Sequence, residues 1–225
     1  MKNRKIKISF VLNITIFILT VLASIIMFTG FKFMEGEHVL ESTKIGMFRF
    51  FTVDSNMFMG IIAIIFAIKE SKLLKEEITE ISVKMYILKL MATTGVVLTF
   101  LTVFGYLGPI AEGGTVSLIK NSNLFFHLVI PILSIFNFIL FERTDKIKFR
   151  YSFLGAIPSL VYSIYYLINV LTHMKNGVVS PEYDWYWFVQ GGLWQIGIVM
   201  PLMLGITCLI SLILWRFNKK KAIRK

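Results

Sequence analysis

Six long apolar runs, set apart by clusters of charge, decide what this chain can fold into. They lie at about 8–31, 51–68, 86–110, 124–141, 152–172 and 193–215. Each is about 18 to 25 residues long, which is what an α-helix needs to cross a hydrocarbon core of about 30 Å. Inside lipid every backbone N–H and C=O must find a partner within its own helix or in a closed barrel. The short alternating segments of a membrane barrel are absent. The expected fold class is therefore all-α: a polytopic membrane protein, with six transmembrane helices in a single domain over 1–225. The first run is too long for the apolar core of a signal peptide and no small-residue cleavage site follows it, so it reads as an anchor.

Composition matters here mainly through where the charges fall. The 225 residues are 56% hydrophobic and 15% aromatic, with a formal net charge of +11. Such a charge could suggest nucleic acid, but the basic residues flank the apolar runs in short loops and no nucleic-acid-binding pattern is present. The anionic leaflet of a membrane is the expected partner. With the N-terminus inside, nineteen of the 24 Lys and Arg residues fall on the cytoplasmic side, five of them assigned between the second and third spans. The outer segments hold only Lys32, Lys44, Arg49, Lys120 and Lys175. That bias predicts both termini cytoplasmic in a cell membrane. The stretch 69–84 alternates charge and reads as a solvated helical connector.

The single cysteine, Cys208, cannot close an internal disulfide, no Cys/His spacing suits a metal, and it reads as a buried apolar filler. One histidine within the spans cannot supply two axial haem ligands, so no cofactor is expected. No span carries paired buried charges at its middle, which speaks against transport.

Aromatic residues gather at the outer side: Phe48, Phe50 and Phe51 before the second span, and Trp185, Tyr186, Trp187 and Phe188 before the sixth. An interfacial belt explains them; a pocket rim is the other reading.

Polar residues inside spans are the informative ones, because lipid makes them costly. The densest group opens the second span, in Phe50-Phe51-Thr52-Val53-Asp54-Ser55-Asn56. On a helix Thr52, Ser55 and Asn56 share a face that Met59 and Ala63 continue, while Asp54 points elsewhere. Periodicity alone favours a helix start with Thr52 as N-cap and Asp54 at the positive end of the dipole. His127 lies about one turn into the fourth span, at the depth of Thr52, because both spans run inward. Pro131, four residues on, cannot bond the His127 carbonyl, which predicts a kink and a free acceptor beside the imidazole. His38 and His173 fall in outer loops or edges. A stripe of Tyr162, Tyr166, Asn169 and His173 climbs the fifth span to the same level and reads first as packing with polar contacts between helices. Glu142 is expected to reach the interface or to pair with Arg143 or Arg150. Pro158 and Pro201 mark kinks, and Gly95, Gly197 and Gly205 mark close helix contacts.

Three segments in order carry a family resemblance: FFTVDSN at 50–56, FHLVIP at 126–131, and the aromatic YDWYWF at 183–188. In these the chain resembles the Pr6Pr family of bacterial six-helix membrane proteins. That family is in turn similar to the FAR-17a/AIG1-like (androgen-induced) membrane hydrolases. The resemblance implies an intramembrane hydrolase of fatty acyl esters, with Thr52 as nucleophile and His127 as base. Asn56 and Asn169 are then the candidates to hold the oxyanion, and Tyr166, Trp185 and Trp187 to hold the substrate. The expected partners are membrane lipids and a lipid ester or other apolar small molecule. The alternative is a non-catalytic protein that binds or moves a lipid or small apolar ligand.

Overall fold

A computed structural model describes residues 2–35, 42–189 and 191–219. His38 and the basic residues from Lys220 onward lie outside them. Six helices are long and apolar enough to cross a membrane: α1 Asn3–Thr29, α2 Phe51–Leu74, α3 Val83–Ile110, α4 Ser122–Phe141, α5 Phe149–Thr172 and α6 Leu193–Asn218. Among the described residues there is no strand beyond one isolated bridge, Lys175 to Val178. The chain is thus an all-α, multi-pass membrane protein. Six crossings return it to the side where it began, so one end of the bundle holds the termini and the other the connections α1–α2, α3–α4 and α5–α6.

The hydropathy pattern located the spans but cut several short. α1 starts at the basic residues themselves, so Arg4, Lys5 and Lys7 are helical. α2 continues six residues past Ile68, which draws Glu70 into the helix. It stops where Glu76 takes a left-handed conformation, φ 61°, and the Glu77 N–H turns back to the Lys72 carbonyl at 2.9 Å, a closure that satisfies an end carbonyl. α3 begins at Val83, so Lys89, one of the five basic residues assigned to the loop, is inside a helix and fully buried.

α3 is the hub. It packs on α2, α4, α5 and α6, and 61% of its most apolar stretch is buried, against 22% for α6. Gly95 allows the α2 approach, since a Cβ there would come within 3.2 Å of Ser55 Cβ; one on Gly197 or Gly205 would meet nothing within 4 Å. Those two glycines do not mark close contacts. α5 starts as a 3-10 turn over Phe149–Ala156 and becomes α-helical at Ile157, with Pro158 in its first turn, where a missing N–H costs little. Pro201 sits inside α6 without ending it. Cys208 is half-buried, not buried. Val11, Ile18, Leu202 and Leu209 are more than half exposed and face outward, as a lipid-solvated surface requires.

Candidate functional site

At the end remote from the termini, the first turn of α2 meets α4, α5 and the segment before α6. The N-cap position of α2 is Phe50, φ −94° and ψ 128°, not Thr52, and it offers no side-chain cap. The cap comes from far away in sequence: the Phe51 N–H donates to Tyr186 Oη at 2.9 Å. Burial pushes the Tyr186 hydroxyl up to about 12, opposed by its bonds to Tyr162 and to the Phe51 N–H. It is therefore neutral at physiological pH and accepts the N–H as a hydroxyl. Thr52 falls at the second helical position, half-buried. Ser55, Asn56, Met59 and Ala63 form the buried face that their spacing predicts, and Asp54 turns away toward Pro158, Val161 and Tyr165.

α4 explains how His127 is held. Pro131 forces not a simple kink but a π turn over Phe125–Val129, closed by the Ile130 N–H on the Phe125 carbonyl. In that register residue i bonds residue i−5, so the carbonyl Pro131 leaves without a donor is that of Phe126, one residue before the expected one. Asn56 Nδ2 reaches across from α2 to fill the gap at 3.1 Å, and also donates to the Thr52 carbonyl at 2.8 Å. One amide thus ties the backbone at Thr52 to the backbone beside His127. The imidazole is buried, and its Nδ1 lies 2.5 Å from the Leu118 carbonyl. A carbonyl only accepts, so Nδ1 carries the proton and Nε2 is the basic nitrogen. Leu118 can offer its carbonyl because the α3–α4 connection folds back, packing Leu118 on Val103 and Leu107.

The segment 183–189 roofs the region, and Asp184, which sequence reasoning passed over, organises it. Its buried carboxylate accepts the Tyr166 hydroxyl and the N–H groups of Phe188 at 2.8 Å and Val189 at 3.1 Å. Trp185 donates to Tyr162 Oη at 3.0 Å, and the Tyr162 hydroxyl donates to the Arg49 carbonyl at 2.5 Å. Tyr166 contacts the rings of Trp185, Tyr186 and Phe188 at 5.2, 5.9 and 5.6 Å between centroids. Trp185 therefore belongs to the core and not to an interfacial belt. Trp187 is 43% exposed, in a left-handed turn at φ 58°.

Below this roof, between α2, α3, α5 and α6, runs a narrow cleft of about 70 Å³. Leu98, Val103, Leu107, Val199, Met200 and Met203 form its apolar walls, Tyr166, Tyr186 and Phe188 its roof, and Thr52, Thr99, Thr102, Ser159 and Ser163 its polar lining. Thr99 and Ser159 commit their hydroxyls to the carbonyls of Gly95 and Ala156. Among the described residues no hydrogen bond engages Thr52 Oγ1, and none joins it to His127, which is not on the cleft wall. Both candidate oxyanion donors are committed elsewhere: Asn56 Nδ2 as above, and Asn169 Nδ2 to the Tyr183 carbonyl at 2.8 Å. Tyr166 lines the cleft, Trp185 supports it from behind, and Trp187 faces a shallow outer groove with Tyr106 and Trp194.

The termini end holds a second polar centre. Lys89 Nζ lies 3.1 Å from Glu142 Oε1, both side chains fully buried, and also donates to Asn13 Oδ1. Asn13 Nδ2 bridges Glu70 Oε2 at 3.0 Å and Glu142 Oε1 at 2.9 Å. Glu142 pairs with Lys89, not with Arg143 or Arg150, and the pair lies at the termini end of the bundle, not at the middle of the spans. The signal was available as depth: Asn13, Glu70, Lys89 and Asn137 all sit near the same end of their spans.

Compared with known proteins, this multi-pass membrane protein matches no family model, no curated protein and no solved structure.

Proposed function

We propose that the protein holds a lipid ester, or a similarly built apolar molecule, in the cleft below the 183–189 roof. The acyl chain lies against Leu98, Val103 and Met200 and the ester beside Thr52. The observation that carries this reading is the cleft's composition: apolar walls, an aromatic roof and a few hydroxyls, of which those of Thr52, Thr102 and Ser163 make no hydrogen bond among the described residues. Binding sites for small apolar ligands are built this way, mostly apolar with a few placed polar groups. The proposal includes the orientation given by the charge bias, with both termini cytoplasmic in a bacterial plasma membrane. A photoreactive diazirine analogue of a fatty acid ester tests it: crosslinks should fall on Val199, Met200 and Met203. Crosslinks confined to the outward-facing Leu202, Leu209 and Ile213 would sink it.

A second reading, hydrolysis of that ester, is favoured by the Leu118 carbonyl, which orients His127 as an orienting partner does for a general base. The resemblance to the Pr6Pr and FAR-17a/AIG1-like proteins supports the same two residues. His127 Nε2 would take the Thr52 proton as Thr52 Oγ1 attacks the ester carbonyl; the protonated imidazole then returns that proton to the leaving alkoxide. Water, deprotonated by His127, releases the acid from the acyl-threonine. This requires the two side chains to come within hydrogen-bond reach once the ester is bound. A fluorophosphonate probe should label the wild type and neither Thr52→Ala nor His127→Ala. Undiminished labelling of Thr52→Ala would remove Thr52 as nucleophile, and no labelling of the folded wild type would remove hydrolysis.

A further inference from the structure

The six spans contain two acids, Asp54 and Glu70, both on α2. Glu70 is bonded to Asn13. Among the described residues Asp54 makes no hydrogen bond and no ion pair. Arg49, the nearest cation along the chain, is turned elsewhere: its guanidinium lies over the rings of Phe50 and Trp185, 4.8 and 5.9 Å from their centroids. A carboxylate inside a span is costly without a partner and marks a place where one binds. Asp54 is half-buried and lies one turn below the start of α2, about 4.5 Å along the axis from Phe51.

The carboxyl lines a groove between α2, α3 and α5, about 430 Å³ in volume, a size suited to a small ligand. This space is not the cleft below the roof. Phe51 and Tyr162, with ring centroids 5.2 Å apart, line both and form the partition between them. The groove opens toward lipid, for Val161 and Tyr165 on its rim are 61% and 47% exposed. Phe51, Tyr162 and Tyr165 surround its outer end, and Phe58, Met91 and Ile157 line it toward the middle of the bilayer. Its Ser55 hydroxyl is engaged with the Thr52 carbonyl and the Thr99 hydroxyl, each at 3.2 Å. No described residue lining the groove is basic.

We infer that this groove binds a single-chain cationic amphiphile: an alkylammonium whose head pairs with Asp54 and whose chain runs past Phe58 to Met91 and Ile157. Charge selects the head, since the groove holds one carboxylate and no cation to answer it. The rings at the outer end offer their faces to a weakly hydrated organic ammonium. Position selects the chain, because the groove is apolar from Asp54 inward and so takes an alkyl tail in the direction of the surrounding lipid chains. A zwitterionic phospholipid fits worse. Its phosphate lies on the chain side of its ammonium and would be drawn below Asp54, where no basic residue meets it. A metal ion fits worse too, as it needs several oxygen ligands and the Ser55 hydroxyl is already engaged.

A photoreactive alkyltrimethylammonium with a diazirine in its chain tests this on the full chain in phosphatidylcholine nanodiscs. Crosslinks should fall on Phe58, Met91 and Ile157. Measured against crosslinks to the outward-facing Leu202 and Leu209, they should be about tenfold more abundant than those of the uncharged alcohol of the same chain. Asp54→Asn should bring the ammonium probe down to the level of the alcohol. Equal ratios for the two probes in the wild type overturn the inference without any variant. Undiminished labelling of a folded Asp54→Asn protein overturns it as well. Crosslinks on Met200 and Met203 instead would put the amine in the cleft and overturn it equally, while leaving the reading of the cleft intact.

Discussion

The two ends of the bundle solve the problem of polar groups in a membrane in opposite ways. At the termini end, Lys89, Glu70, Glu142, Asn13, Asn137 and Ser9 bond to one another across four helices, all of them buried. At the other end the polar groups bond mainly to backbone: Asn56 to two carbonyls, Asn169 to Tyr183, His127 to Leu118. The first arrangement is a closed network whose members depend on one another. The second braces a loop and two irregular helix starts, and leaves a cleft in which the Thr52, Thr102 and Ser163 hydroxyls make no hydrogen bond among the described residues. A site for a ligand belongs where polar groups serve the backbone and a space remains; a lock between helices belongs where they serve each other.

The largest effect should come from breaking the closed network. Lys89→Met removes the ammonium that, among the described residues, faces Glu70 and Glu142, and is expected to lower stability by about 3–5 kcal/mol, the cost of leaving a buried charge without its partner. Unfolding in detergent measures it, and adding Glu142→Gln should recover part of the loss, because Glu142 is the carboxylate that Lys89 touches; no recovery would mean that their contact contributes nothing to the lock.

A smaller effect is expected at the other end. Asn56→Ala leaves the Phe126 carbonyl without a donor and should cost about 1–3 kcal/mol. It should also free the His127 turn, detected as faster amide exchange over 125–130. Unchanged exchange there would mean that the π turn holds without α2, and that the two ends are braced more alike than their bonding suggests.

The spans were legible because apolar length is a property of each segment alone. The site was legible in part, and for a related reason. Thr52 and His127 could be set at one depth from topology, and Pro131 announced irregular backbone, but the freed carbonyl moved from His127 to Phe126 because a π turn shifts the bonding by one residue. Lys89 was misplaced because a lysine three residues inside a span's edge reads as its flank. Asp184 was missed because an acid in an aromatic loop carries no periodic signal; only the folded segment shows three donors converging on it. Partners such as Asn13 and Glu142, 129 residues apart, belong to packing, which no single segment encodes.

Because Tyr186 supplies the acceptor for the first N–H of α2, the roof and the helix end beneath it cannot loosen separately. Lifting segment 183–189 strips α2 of its cap, and fraying of that first turn releases the roof, so the two motions share one free energy. An occupant that holds the roof down would thereby also order the turn that presents Thr52.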